Sequence, residues 1–119
     1  MKQKIIDPWG SGLLEDYQKI VKDFGLEIFD AKLFPSSNKL MRRGAVFAGR
    51  DLKIISDAIK NKRKYYVLSG IMPSYEKIHF GTKMVVENIR YFQMHGAETY
   101  ILVADLEAAS TRGITLQEA

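Results

Sequence analysis

The chain has 119 residues, of which 46% are hydrophobic and 27% charged, with no cysteine and a formal net charge of +4 at pH 7. This balance is typical of a compact globular domain and excludes an intrinsically disordered chain, a disulfide scaffold and a thiolate metal site. No run approaches the roughly 18 apolar residues of a membrane helix, so we expect a soluble cytoplasmic protein whose mild basicity is compatible with a nucleic-acid partner.

The first half of the chain, residues 1–62, is predicted to be a mainly helical segment. Residues 3–12 indicate a short strand that ends in a Gly-Ser-Gly turn. Apolar residues then recur at helical spacing over residues 13–24. Gly25 is placed to end this helix in the left-handed conformation.

Residues 26–49 are less regular, and only a short helix around Leu40–Arg43 is predicted there. A second helix is predicted from about Asp51 to Asn61, because apolar residues again recur at helical spacing. Its predicted buried face consists of Leu52, Ile55, Ala58 and Ile59.

The second half, residues 63–119, changes in character. Tyr65–Leu68 is an aromatic and β-branched run too short for a helix, and Thr99–Ala104 is another mostly apolar run. Between them a helix is predicted from Phe80 or Gly81 to His95. Strand, helix and strand in this order indicate a right-handed βαβ unit with two buried parallel strands, and hence an α/β fold.

A ligand site is expected beyond the carboxyl ends of these strands, at Ser69–His79 and Asp105–Glu107. The first loop brings His79 and Gly81 to a helix N-terminus, where unpaired N–H groups and the helix dipole favour an anion such as phosphate. The alternative is that Gly81 merely starts the helix and His79 is an ordinary loop residue. The pattern matches neither the dinucleotide fingerprint nor the P-loop.

Several motifs carry a family resemblance. Pro73–Thr82 (PSYEKIHFGT) resembles the HIGH motif of class I aminoacyl-tRNA synthetases. Leu40–Asp51 (LMRRGAVFAGRD) is similar to a block of archaeal and eukaryotic tryptophanyl-tRNA synthetases, and Asp7–Trp9 (DPW) and Ala104–Ala108 (ADLEA) follow the same pattern. The resemblance covers nearly the whole chain. It implies a partial Rossmann-like (HUP-type) catalytic domain.

The resemblance also implies an activity. Tryptophan would be activated with ATP, taken as its Mg²⁺ complex, and transferred to tRNA(Trp), with no tightly bound cofactor or protein-held metal. His79 and Thr82 would be catalytic. The residues implied to bind ATP are Gly70, Pro73, Ser74, His79, Gly81 and Thr82. The residues implied to bind tryptophan are Leu68, Gly70, Leu102 and Glu107, the last beside the ammonium group.

The sequence departs from the family pattern at several points. Thr82 replaces the final histidine of the HIGH motif, and its hydroxyl offers a hydrogen bond but no positive charge. Leu68 and Leu102 cannot bond an indole N–H. The KMSKS loop and the anticodon-binding domain have no counterpart, so we expect an N-terminal fragment that is inactive alone. Full-length relatives are dimers, so the resemblance implies a homodimer. A non-catalytic nucleotide-binding paralogue and a tyrosyl-tRNA synthetase-like enzyme remain as alternatives.

Two groups of side chains are expected to be structural. Arg42, Arg43 and Arg50 either pair with carboxylates such as Asp51 or Asp57 or face the nucleotide, and pairing is the preferred interpretation. An aromatic set is expected in the core rather than stacked on bases. Its members are Tyr65, Tyr66, Tyr91 and Phe92.

Overall fold

The computed structural model describes residues 17–73 and 76–118, and the predicted strand over residues 3–12 and the motif Asp7–Trp9 lie outside them. The helices are α1 (Tyr17–Asp23), α2 (Lys39–Arg42), α3 (Leu52–Lys60), α4 (Phe80–Met94) and α5 (Asp105–Arg112). The strands are β1 (Glu27–Ile28), β2 (Ala48–Gly49), β3 (Tyr66–Ile71) and β4 (Glu98–Val103), and a 3₁₀ turn covers Ala31–Leu33. None of the described helices is both long and apolar enough to span a membrane.

The segment predicted to be irregular contains a small antiparallel pair, because β1 pairs with β2. Strands of two residues show no periodicity, which is why the sequence did not reveal them. The short helix predicted in this segment is confirmed as α2. It begins after Asn38, whose side-chain oxygen accepts the N–H of Met41 at 2.9 Å and so caps the helix.

Helix α3 follows the predicted amphipathic pattern. Leu52, Ala58 and Ile59 are buried, and Ile55 is half-buried. The helix also buries Ser56, whose hydroxyl donates to the backbone oxygen of Leu33 at 2.6 Å. This polar group is therefore satisfied, and it ties α3 to the chain before α2.

The hydrophobic core draws residues from both sides of residue 62. Its buried members are Phe34, Met41, Leu52, Ile59 and Tyr91. Two hydrogen bonds reinforce this packing on α4: the Tyr91 hydroxyl donates to Pro35 O at 2.6 Å, and the Asn38 amide donates to Asn88 Oδ1 at 2.9 Å. The helical segment is thus held against the side of α4 that carries Tyr91 and Asn88.

The βαβ unit predicted from the sequence is confirmed. β3 and β4 are parallel, in a register that runs from Tyr66 opposite Glu98 to Ile71 opposite Val103. Helix α4 connects them and packs against both strands. At its end Gly96 adopts a φ of +93°, which only glycine adopts without strain. The α/β fold class is therefore correct.

The expectation that both strands are buried is wrong. Tyr66 is 71% exposed, Leu68 65% and Leu102 62%, so Tyr66 is also not the core residue that we predicted. Along β3 the exposed residues alternate with half-buried ones, as expected when only one face of a sheet is covered. Within the described residues no third strand joins the pair. An apolar run in the sequence predicts a strand but does not show what covers it.

The arginines of the Leu40–Asp51 segment do not form ion pairs with the expected carboxylates. The Arg42 guanidinium donates to the backbone oxygen of Ser37, and Arg50 donates to Phe24 O at 2.8 Å. Asp57 instead forms an ion pair with Lys53 at 2.7 Å, one helical turn earlier on α3. Carbonyl oxygens left free where α1 ends and before α2 begins attract these guanidinium groups.

The buried phenol of Tyr91 predicts a loss of stability in alkali. Burial, with a smaller contribution from Tyr65, raises its pKa to about 12. The folded chain therefore keeps a proton that the unfolded chain releases near pH 10. The resulting stability is fully present below about pH 10 and is lost as the pH rises towards 12. Urea unfolding between pH 8 and pH 11.5 should show this decline, and Tyr91→Phe should flatten it. An equal decline in the variant would contradict the assignment.

Candidate functional site

A cleft of about 720 Å³ lies where β3 ends and α4 begins. Its size falls within the range of small-molecule sites. Three parts of the chain form its walls: the end of β3 with the loop after it, the first two turns of α4, and the end of α5. The lining residues are Gly70, Ile71, Met72, Pro73, Lys77, Ile78, His79, Gly81, Thr82, Val85, Arg112 and Ile114.

His79 caps helix α4. Its backbone is extended (φ −86°, ψ 169°), and its Nδ1 accepts the backbone N–H of Thr82 at 3.3 Å. A neutral imidazole in this arrangement carries its proton on Nε2, which makes only a long contact of 3.5 Å with the Thr82 hydroxyl. The ring is exposed, so Nε2 can donate to a ligand in the cleft while Nδ1 holds the helix.

Gly81 leaves room for that imidazole. A Cβ atom at position 81 would lie 3.0 Å from Cε1 and 3.1 Å from Nδ1 of His79. A larger residue would therefore require the exposed ring to shift by a few tenths of an ångström. The sequence-based alternatives for His79 and Gly81 are thus not exclusive, because both residues start the helix and both line the cleft.

The first turn of α4 retains anion-binding capacity. The N–H groups of Thr82 and Lys83 are bonded to His79, through its ring and its backbone oxygen respectively. The N–H groups of Phe80 and Gly81 have no hydrogen-bond partner among the described residues. They stand at the positive end of the helix dipole, where a phosphate group is stabilised.

The cleft brings together most of the residues that we predicted to contact ATP. Gly70, Pro73, His79, Gly81 and Thr82 all line it. The remaining predicted ATP contact, position 74, lies outside the described residues.

The residues predicted to contact tryptophan are placed differently. Leu68 and Leu102 do not line the cleft. They lie with Gly70 on one face of the sheet, because Gly70 stands opposite Leu102 and follows Leu68 by two positions. Glu107 is exposed in the first turn of α5 and is also outside the cleft lining. Gly70 is therefore the position that belongs to both sets.

Two positively charged residues of the cleft were not predicted from the sequence. Lys77 lies within Pro73–Thr82, the segment that resembles the HIGH motif, and Arg112 is the last residue of α5. That helix was not predicted, since Asp105–Glu107 was interpreted as the loop after the second strand. A left-handed Gly113 (φ 67°) ends the helix, and a glycine after a helical stretch was the available signal. No group of three or more potential metal ligands occurs among the described residues.

Comparison with known proteins gives consistent matches. A family described as tRNA synthetases class I (W and Y) matches residues 60–117. A curated tryptophan–tRNA ligase of Halobacterium salinarum is 39% identical over 115 residues, which is 95% of this chain and 22% of the relative.

Solved structures agree. A tryptophanyl-tRNA synthetase from Encephalitozoon cuniculi, bound to tryptophan, superposes with a TM-score of 0.75 at 29% identity, over 87% of this chain and 33% of that one. A tryptophanyl-tRNA synthetase from Aeropyrum pernix superposes with a TM-score of 0.71 at 35% identity, over 95% of this chain and 32% of that one. The chain thus spans between a fifth and a third of the length of these relatives. Over nearly its whole length the chain is therefore similar to tryptophanyl-tRNA synthetases, and its residues 60–117 match the class I tRNA synthetases of the W and Y group.

Proposed function

We propose that this chain is the N-terminal, ATP-binding part of a tryptophan–tRNA ligase. One observation carries the proposal: Gly70, Pro73, His79, Gly81 and Thr82 line a single cleft at the start of α4. The similarity to tryptophanyl-tRNA synthetases makes ATP the proposed anionic ligand, and ATP would enter with its Mg²⁺ ion as the substrate complex.

The proposed reaction has two steps. The carboxylate of tryptophan attacks the α-phosphate of ATP and releases pyrophosphate, and the aminoacyl group then passes to the terminal ribose of tRNA(Trp). In such a reaction the protein mainly positions the reactants and stabilises charge. His79 Nε2 and the free N–H groups of Phe80 and Gly81 would bind phosphate oxygens. Gly81 would let the adenine approach the backbone, and the Thr82 hydroxyl would add one hydrogen bond.

Tryptophan would bind on the open face of the sheet. Leu68 and Leu102 offer an apolar surface for the indole ring, and Gly70 connects this face to the ATP cleft. Glu107 would pair with the ammonium group of the amino acid. The two leucines provide no acceptor for the indole N–H, so a polar group from elsewhere would have to recognise it.

The proposal extends to organisation and partners. We place a boundary between an N-terminal segment (1–62) and the catalytic βαβ unit (63–119), a division that the family match beginning at residue 60 supports. The full enzyme would act in the cytoplasm as a homodimer on ATP, tryptophan and tRNA(Trp).

Two measurements on the 119-residue chain test the proposal. Calorimetric titration should show saturable binding of ATP. ATP–pyrophosphate exchange with tryptophan should remain at background, because no third strand of the described residues joins β3 and β4 and the 119 residues supply no lysines of a KMSKS loop. The absence of any ATP binding would refute the nucleotide site, and exchange above background would refute the inactivity of the chain alone. Exchange that depends on tyrosine would end the tryptophan assignment.

A further inference from the structure

We propose that Arg112, together with Lys77, binds the polyphosphate chain of the nucleotide. The two side chains extend the anion site beyond the start of α4. This inference rests on the proposed ATP site and assigns new residues to it.

The charged side chains that line the cleft are all positive. Among its described lining residues Arg112 and Lys77 are cations, His79 is the remaining titratable group, and no carboxylate is present. A cleft with one sign of charge raises the local concentration of a ligand of the opposite sign. The ligand chemistry that fits is therefore anionic.

The described part of the chain does not pair these two charges. Within residues 17–73 and 76–118 neither Arg112 nor Lys77 takes part in a hydrogen bond or an ion pair, whereas Lys53 is paired with Asp57. An unpaired guanidinium group can bind two phosphate oxygens in a forked arrangement, and an ammonium group acts as a mobile point charge.

The backbone places Arg112 beside the cleft. Helix α5 starts at Asp105, immediately after β4, and its eight residues carry the chain about 12 Å away. Gly113, with its φ of 67°, then turns the chain so that Ile114 also lines the cleft. Arg112 thus lies at a turn that the backbone holds against the cleft wall.

These positions favour a polyphosphate over a singly charged ligand. The three sources of positive potential come from different parts of the chain: the loop at Lys77, the amide groups at the start of α4, and the end of α5. A carboxylate is small enough to occupy one of them, whereas a triphosphate carries several anionic groups along its length.

The test is calorimetric titration of the 119-residue chain with ATP, adenosine and inorganic tripolyphosphate. Arg112→Gln and Lys77→Gln should each weaken ATP and tripolyphosphate binding about tenfold, the scale of one charge-assisted hydrogen bond. Adenosine affinity should not change. Arg112→Lys should recover part of the loss, because it restores the charge without the fork.

Arg90→Gln is the matched control. Arg90 is exposed on α4 and lies outside the cleft lining, and its substitution removes the same positive charge. If both cleft variants bind ATP as the control does, Arg112 and Lys77 have no role and the nucleotide site itself stands. If the unmodified chain binds neither ATP nor adenosine, the proposed function and this inference fail together. Circular dichroism of each variant would check that the total helical content is unchanged.

Discussion

Replacing Phe34 with alanine is expected to lower the free energy of unfolding by about 3–5 kcal/mol. Phe34 is only 4% exposed, it stacks on Phe29 with ring centroids 4.9 Å apart, and it meets Phe92 edge-on at 6.3 Å. Its removal would leave a cavity at the junction between the helical segment and α4. Small domains are stable by about 5–15 kcal/mol, so this loss would be a substantial part of the total stability.

Urea unfolding followed by circular dichroism measures this loss. Phe80→Ala is the matched control, because Phe80 is 82% exposed and its removal should change stability by less than about 0.5 kcal/mol. Similar losses in the two variants would mean that Phe34 does not anchor the core.

Replacing His79 with asparagine should weaken ATP binding by about tenfold or more while leaving helix α4 intact. Asparagine is a good N-cap, so its side chain can accept the Thr82 N–H as the imidazole does. It cannot reproduce the position of Nε2, which we expect to donate to a phosphate oxygen. The expected loss corresponds to one hydrogen bond to a charged group. The measurement is the ATP dissociation constant of the folded variant.

His79→Ala completes this comparison, since alanine removes both the cap and the ring. We expect the alanine variant to bind ATP as weakly as the asparagine variant and to be less stable by about 1 kcal/mol. Wild-type ATP affinity in His79→Asn would show that the imidazole only caps the helix, and would remove it from the site.

The sequence predicted best the parts of the fold whose local signal was strong. The spacing of apolar residues placed α3 and α4, and the two apolar runs on either side of α4 placed the two strands of the βαβ unit. The exposure of Leu68 and Tyr66 was not predictable, because an apolar strand has the same local pattern whether or not another layer covers it. The β1–β2 pair was too short to leave a pattern.

The same distinction holds for the cleft. His79, Gly81 and Thr82 lie where the predicted loop joins the predicted helix. Their position at the start of α4 could therefore be predicted from the local sequence. Arg112 reaches the cleft only because α5 turns at Gly113. No local pattern around an arginine 33 residues after His79 indicates that the two share a cleft. Non-local contacts of this kind depend on tertiary structure.

The pairing of β3 with β4 has a practical consequence. Each strand has one hydrogen-bonding side that no other strand of the described residues occupies. Open strand edges beside apolar side chains are templates for pairing between molecules. Concentrated samples should therefore self-associate through these edges. Titrations and unfolding curves need to be repeated over a dilution series, and only values independent of protein concentration describe the single chain.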